Sequence, residues 1–241
     1  LTLYPEGGNL VEGIPNRIAF EAVWDDGEWL EGWLHHGTDS VPAVHRGRGI
    51  FTLTPQKGME NEVTFITANG EKVKAKLPET MKEGATLQVN AEGNSIGIDV
   101  RLTEGIHPDS MAMTVMHEGK VKAFHAMDGR EKSVRLDTDA LQAGVHQATI
   151  FDTQGRVYAD RLFFVRKTGA EKPTLTVSAP KDECRPYKRI QLQVNGAKGN
   201  TPISLAVRDD YGSPTLYDNG NIMTEMLLSS EIKGFIPEPG W

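Results

Sequence analysis

The segment Ala148-Thr-Ile-Phe-Asp-Thr-Gln-Gly155-Arg-Val-Tyr-Ala-Asp-Arg-Leu-Phe-Phe-Val165 has the pattern of a β-hairpin. Its first arm, which begins at His146 and ends at Asp152, is rich in β-branched and aromatic residues. Asp152-Thr-Gln-Gly155 supplies the turn, in which Gly155 is expected to adopt a positive φ angle. The second arm alternates in side-chain character and ends in a Leu-Phe-Phe-Val run that is typical of a buried strand.

The same pattern occurs twice more along the chain. The segment from Ile18 to Trp33 turns at Asp25-Asp26-Gly27, and the segment from Ile203 to Leu216 turns at Asp209-Asp210-Tyr211-Gly212. The spacings between the three hairpins are unequal, so the hairpins share turn chemistry and do not form an alignable repeat. Antiparallel hairpins spread along one chain predict an all-β fold of several antiparallel β-modules.

Turns and polar connectors divide the chain into three predicted modules. We expect one β-sandwich in each of residues 1–78, 79–168 and 169–241. The third module ends differently, because Asn221 to Gly234 has the pattern of a short helix and is followed by a loop. The sequence leaves open whether this third module is complete.

Composition and charge exclude several classes of protein. The chain has 241 residues and a formal charge of −7, and no basic run exceeds three residues, so nucleic acid is not an expected partner. No apolar run approaches the roughly 20 residues of a membrane-spanning helix. Cys184 is the only cysteine, so no intramolecular disulfide can form and the hydrophobic cores must hold the fold. The chain opens at Leu1 without a signal-type segment and stops at Trp241 within a loop-like phrase, which suggests a fragment of a longer polypeptide.

Catalytic, cofactor and metal sites are not predicted. His35 and His36 are neighbours, so on a strand their side chains point to opposite faces and cannot hold one ion together. A metal site made from His35, His45 and Asp39 is conceivable but has no recognised spacing. The glycine-rich phrases match neither a phosphate-binding loop nor a nucleophile elbow. We therefore expect surface or loop histidines, and the seven are His35, His36, His45, His107, His117, His125 and His146.

Trp29 and Trp33 are the sharpest local feature of the sequence. If Leu30 and Leu34 face the core, the two indoles project from the outer face about 13 Å apart, which is four strand residues at about 3.3 Å each. Exposed aromatic side chains can stack on sugars or contact a protein. The alternative is that they pack against a neighbouring module or loop. We predict that at least one indole lies at an inter-module or outer surface.

Several phrases resemble those of a known family when they are taken in order. Tyr4 to Phe20 is similar to the opening of macroglobulin-like (MG2-type) regions in envelope proteins of Gram-negative bacteria, and His45 to Pro55 looks like the next signature. Gly144 to Asp152 with Arg161 to Val165 resembles the closing strands of the second unit, and Asn221 to Gly234 the segment that ends the third. The resemblance implies tandem antiparallel β-sandwiches of the immunoglobulin or fibronectin type, each with seven strands. It also implies an exported protein, in which such domains often lie upstream of a TonB-dependent receptor plug.

One departure from that family matters for chemistry. Macroglobulins that trap proteases covalently carry a thioester built from a Cys-Gly-Glu-Gln phrase. Here Cys184 stands in Glu183-Cys-Arg-Pro186 without such a glutamine, so this segment cannot form the thioester. Cys184 is expected to be an ordinary strand residue.

Three functional hypotheses follow from the sequence. The leading one is a non-enzymatic structural or interaction module of a larger cell-envelope protein, in the periplasm or at the cell surface and associated with the outer membrane. It would present sandwich surfaces to a protein partner or space an attached outer-membrane receptor. The second is a carbohydrate-binding module with Trp29 and Trp33 as the platform for a glycan. The third is a hydrolase, which would require titratable groups converging in one pocket.

Overall fold

The computed structural model describes residues 1–167, 175–178, 187, 189–196, 202–203, 205, 220–234 and 236. Strands account for most of this part of the chain. In chain order the strands are β1 Thr2–Pro5, β2 Leu10–Val11, β3 Asn16–Glu21, β4 Gly32–His36, β5 Asp39–Pro42, β6 Arg48–Leu53, β7 Glu62–Thr67, β8 Lys72–Lys76, β9 Thr80–Met81, β10 Ala85–Glu92, β11 Ser95–Leu102, β12 Met111–His117, β13 Lys120–Ala126, β14 Glu131–Asp137, β15 Gly144–Asp152, β16 Val157–Val165, β17 Thr176–Ser178 and β18 Gln193–Asn195. Short 3₁₀ turns occupy Pro108–Ser110 and Thr138–Ala140.

The first sandwich packs two antiparallel sheets face to face. One sheet has the strand order β1-β3-β6 and the other β5-β4-β7-β8. Burial alternates along β3 and β7, as expected for strands that turn one face to a core. Phe20 lies at the centre, with its ring centroid 6.5 Å from that of Phe51 and 6.0 Å from that of Phe65. The buried core comprises Leu10, Ile18, Phe20, Ala22, Leu30, Leu34, Phe51, Leu53, Val63, Phe65 and Leu77.

The second sandwich repeats this seven-stranded arrangement. Its sheets have the strand orders β10-β11-β14 and β13-β12-β15-β16, again with antiparallel pairs. The predicted hairpin is confirmed as β15 and β16, with Gly155 at φ 77° in the turn. The Asp152 carboxylate stabilises that turn because it accepts hydrogen bonds from the backbone N–H groups of Gln154 and Arg156, both at 2.9 Å. The fully buried centre of this core includes Leu87, Ile98, Met113, Val115, Ala148, Ile150 and Val165.

The predicted hairpin between Ile18 and Trp33 is only partly correct. A turn does form there, but β3 pairs with β1 and β6, whereas β4 belongs to the opposite sheet. The two arms share one isolated bridge, between Val23 and Trp29, before the chain crosses to the other sheet. The apolar faces of both arms must point into one core between two sheets, and this requirement overrides the local hairpin signal. We call this turn, residues 22–33, the acidic corner.

Only parts of the third predicted module fall within the described residues. β17 and β18 pair antiparallel. The turn predicted at Asp209 to Gly212 and the single cysteine, Cys184, lie outside the described residues. The two cores described above fall within the first and second predicted modules, and the module boundaries themselves stay a prediction.

The one short helix predicted near the C terminus is confirmed. It begins as an α-helical turn at Ile222–Thr224 and continues as a π-helical turn at Glu225–Ser229. The Asn221 side chain caps it by accepting from the N–H groups of Met223 and Thr224, and Thr224 Oγ1 accepts in return from Asn221 N–H at 2.8 Å. The helix ends before Gly234, so it is shorter than the pattern predicts.

Candidate functional site

The row of tryptophans in the acidic corner follows the predicted alternation. Trp29, Glu31 and Trp33 are exposed, whereas Leu30 and Gly32 between them are buried. Trp29 is 42% exposed and Trp33 is 48% exposed, so the prediction that at least one indole lies at a surface is confirmed. The alternation arises because Leu30 enters the core beside Ala22, and its N–H donates to the Ala22 carbonyl oxygen at 2.9 Å.

Trp29 stands where the chain crosses between the sheets. It lies before β4 begins, opposite Val23 in the isolated bridge. The guanidinium of Arg46 stacks over its indole, with the Arg46 Cζ atom 4.9 Å from the ring centroid. This distance is within the range of a cation–π interaction. One face of the Trp29 indole therefore already carries a cation.

Trp33 stands within the four-stranded sheet. It lies directly opposite Pro42 of β5 on one side and Ile66 of β7 on the other. Ile66 in turn pairs with Lys72 at the edge strand β8. Trp33 is thus the large aromatic member of a row that crosses the outer face of the first sandwich.

The joint between the sandwiches is centred on Glu6, whose importance the sequence did not indicate. The Glu6 side chain is 7% exposed and accepts hydrogen bonds from Arg17 Nη2 at 2.8 Å and from the backbone N–H of Val89 at 3.0 Å. Arg17 Nε also pairs with the other carboxylate oxygen of Glu6. Arg161 Nε of the second sandwich lies 3.2 Å from Glu6 Oε1. The hydrogen bond to Glu6 raises the pKa of Arg17, while partial burial opposes that rise. One carboxylate thus bridges both sandwiches.

Arg17 extends the joint by contacting the second sandwich directly. Its guanidinium donates to the Asn90 side-chain oxygen at 2.6 Å and to the Val89 carbonyl oxygen at 2.7 Å. The Arg17 side chain is 22% exposed, so these bonds form in a partly buried contact. A planar guanidinium suits this task because it can donate in several fixed directions at once.

Backbone contacts beside Glu6 bring the same two sandwiches close together. The Asp160 N–H donates to the Gly7 carbonyl oxygen at 3.2 Å, and the Asn9 side chain donates to the Tyr158 carbonyl oxygen at 3.1 Å. Gly7 has φ 88°, and a Cβ atom there would lie 3.1 Å from the Ala159 side chain. A residue with a side chain would therefore push the two sandwiches apart.

The connection between the sandwiches is also tied down. β9 pairs in parallel with β2, so the connecting segment folds back onto the first sandwich. Asn16 is 1% exposed and holds β2 through three hydrogen bonds, two with Val11 backbone groups and one with the Ile14 carbonyl oxygen, at 2.7 to 2.8 Å. Val11 packs against Gly84, where an added Cβ would approach it to 2.9 Å.

Two buried histidines stack on each other within the second sandwich. The His146 ring lies between those of His117 and Phe163, with centroid distances of 4.4 Å and 5.4 Å. His146 is 1% exposed, and its buried Nε2 has no hydrogen-bond partner in the described part of the chain. Burial lowers the pKa of His146, and the neighbouring His117 and Lys122 lower it further, against a hydrogen bond to the Gly144 carbonyl oxygen. His146 is therefore a neutral core residue at neutral pH.

Acid should destabilise the second sandwich through His146. Its folded-state pKa lies below the ordinary value of about 6.5, so the unfolded chain binds the proton more tightly and stability falls as the pH drops below about 6.5. We expect His146→Phe to keep the ring stack and to flatten this fall, which one proton can steepen by up to about 1.4 kcal/mol per pH unit. Urea unfolding followed between pH 7.5 and 5 measures the slope. The exposed His107 gives the control His107→Asn, and equal slopes in parent and His146→Phe would contradict this account.

A shallow pocket of about 250 Å³ opens between β5 and β6 of the first sandwich. Ser40, His36 and Asp39 line it, together with an apolar floor. The His36 ring forms a hydrogen bond from Nε2 to the Glu60 carbonyl oxygen at 3.4 Å, and within the described residues no hydrogen bond joins the three side chains to one another. A hydrolase that uses a serine nucleophile needs that hydroxyl within hydrogen-bond reach of its base. This pocket thus gives the hydrolase hypothesis no support.

The conceivable metal site at His35, His45 and Asp39 gains no support either. Across the residues that the structure describes, no three His, Cys, Asp or Glu side chains are grouped so that they could hold a metal ion. His35 faces Ser40 and Thr64 in the sheet, whereas His45 forms a bridge with Arg48. None of the helices in the described residues has the length and apolar character needed to cross a membrane.

Comparisons with known proteins leave the family open. No protein-family model matches the chain, and no curated protein sequence matches it. Among solved structures, the chain is similar to a DUF3823 family protein from Bacteroides ovatus (10% identity, 61% of this chain and 98% of that chain, TM-score 0.24). It is also similar to the fibronectin(III)-like modules of CbhA from Clostridium thermocellum (12% identity, 71% and 97%, TM-score 0.24). A third similar structure is the central fibronectin-III array of RIM-binding protein (13% identity, 74% and 75%, TM-score 0.25). TM-scores this low do not establish a shared fold. The assignment of tandem β-sandwiches therefore rests on the strand pairing described above.

Proposed function

We propose that the chain is a non-enzymatic spacing and interaction module of a larger exported cell-envelope protein. It would act in the periplasm or at the cell surface, associated with the outer membrane, where it presents sandwich surfaces to a protein partner or spaces an attached receptor. The ordered resemblance of its phrases to macroglobulin-like regions supports the envelope context. The joint between the two sandwiches supports the spacing role.

The observation that carries the proposal is the bridging position of Glu6. A flexible tether would leave the facing surfaces of two sandwiches solvated, and inter-domain motion is the default for small polar interfaces. Here a nearly buried carboxylate binds Arg17 of its own sandwich and Val89 and Arg161 of the next. The hydrogen bonds of Gly7 and Asn9 add a second attachment beside it. Such a joint fixes the orientation of one sandwich relative to the other.

The spacing role can be tested by measuring distances between spin labels in the full chain. Labels at Gln56→Cys and Lys120→Cys, two exposed positions in different sandwiches, would be placed in a Cys184→Ser background. We expect a single narrow distance distribution from double electron–electron resonance and a broadened one in Glu6→Ala. The matched control is Glu21→Ala, which removes an ion pair with Arg48 on the outer face of the first sandwich and should stay narrow. A broad distribution in the parent would overturn the proposal.

A further inference from the structure

We propose that the acidic corner and the adjoining face of β4 form a docking surface for an arginine-bearing, cationic segment of the partner protein. The surface consists of Trp24, Trp29 and Trp33 with the carboxylates between them. This inference rests on the proposed function, because it names the chemistry of the partner that the first sandwich would bind.

Large aromatic side chains are exposed in this part of the chain. Three of the four tryptophans of the chain lie within ten residues, and their side chains are 45%, 42% and 48% exposed for Trp24, Trp29 and Trp33. Val23 beside Trp29 is 37% exposed, and the exposed Pro42 flanks Trp33. Tryptophan is enriched among residues that dominate binding energy at protein interfaces. Large exposed aromatic side chains close together in the sequence favour an interaction surface.

The sequence segment that carries these indoles is acidic. No lysine or arginine occurs between Arg17 and Arg46, whereas six carboxylates do: Glu21, Asp25, Asp26, Glu28, Glu31 and Asp39. Of the four that lie among the tryptophans, all are exposed, and none forms an ion pair with a described residue. Complementary charge is what selects the partner at such a surface, since like charges brought together cost binding energy. The partner segment is therefore cationic.

Among cations, arginine is the one that this surface favours. Arg46 already places its guanidinium over Trp29 with 4.9 Å between Cζ and the ring centroid. The corner thus accepts a guanidinium against an indole while carboxylates lie close by in the sequence. A guanidinium stacks on an aromatic face and pairs with a carboxylate in two directions, which an ammonium group cannot do. Trp33 and Trp24 offer further indole surface for incoming side chains.

A sugar ligand is the competing occupant, because sugars also stack on tryptophan. A neutral glycan would form no ion pair with the four exposed carboxylates of the corner, whereas a cationic peptide would. The observations therefore favour a cationic peptide, and glycan binding becomes an outcome that the experiment can detect.

The experiment titrates the full chain with a short capped peptide that alternates glycine and arginine. Isothermal titration calorimetry would compare it with the citrulline peptide, which keeps the shape but loses the charge, and with the lysine peptide. We expect the arginine peptide to bind best, and Trp29→Ala and Trp33→Ala each to weaken it about fivefold. Glu31→Gln should also weaken it, and added salt should do so in the parent.

Two control variants match these changes in the second sandwich. Phe124→Ala removes a 60% exposed aromatic ring, and Glu104→Gln removes an exposed carboxylate. Both variants should bind the arginine peptide as tightly as the parent does. Equal binding of the citrulline peptide, equal losses in the control variants, or binding of cellohexaose that Trp29→Ala abolishes would each overturn the inference. Failure here leaves the spin-label distances untouched, so it can be told apart from failure of the spacing role.

Discussion

Glu6→Ala is expected to lower the free energy of unfolding by about 3 kcal/mol, because it breaks a nearly buried ion pair and leaves its partners behind. The Glu6 side chain is 7% exposed and that of Arg17 is 22% exposed, so the Arg17 guanidinium would remain partly buried without its anion. The Val89 N–H would also lose its acceptor. Arg161 is half exposed and should regain water at little cost. Urea unfolding followed by tryptophan fluorescence and circular dichroism measures the loss.

Glu21→Ala is the matched control for this prediction. It removes the same side chain from a pair with Arg48, whose side chain is 46% exposed. Exposed pairs of this kind contribute less than about 1 kcal/mol. A loss in Glu6→Ala no larger than in Glu21→Ala would mean that the joint does not stabilise the chain.

Gly47→Ala is expected to destabilise the first sandwich by about 3 kcal/mol or more. Gly47 has φ 72°, which an alanine adopts only with strain. Its added Cβ would also overlap the Ala22 carbonyl oxygen and lie 3.3 Å from the Leu30 backbone nitrogen. These two backbone groups are hydrogen-bonded to each other, so the substitution must break that bond or move the whole corner. A thermal melt and the fluorescence of the nearby tryptophans would report the change.

Gly27→Ala separates the two causes. Gly27 has φ 90°, in the same left-handed region, but nothing lies within 4 Å of the Cβ that alanine would add. Its cost should therefore be the conformational strain alone, about 1 kcal/mol. If Gly27→Ala and Gly47→Ala had the same melting temperature, steric overlap would not explain the effect of Gly47→Ala.

Local patterns predicted the elements of the fold better than their partners. Alternation and glycine turns identified β15 with β16 and placed Leu30 and Leu34 in the core. The same reasoning paired the arms on either side of Gly27, because a turn signal reports the turn and says nothing about which sheet each arm joins. That choice is made by a core assembled from strands far apart in the chain.

The candidate surface and the joint differ in how far sequence could reveal them. Trp29 and Trp33 were visible because their alternation with Leu30 spans a few neighbouring residues. Glu6 was not, since its partner Arg161 lies 155 positions later and neither residue stands in a distinctive motif. The buried stack of His117 on His146 was not predicted either, because the two residues lie on different strands and neither stands in a distinctive motif. Histidines were also expected at the surface, where they are more common.

The distance in sequence between Glu6 and Arg161 also sets the order of assembly during synthesis. Each sandwich has its own core, so the first can fold before the second has emerged. Arg161 lies in β16, the last strand of the second sandwich, and Asp160 and Tyr158 of the same strand complete the contacts to Gly7 and Asn9. The contacts of Arg161, Asp160 and Tyr158 therefore form last, and a nascent chain that stalls before β16 would lack them together with the last strand of the second core.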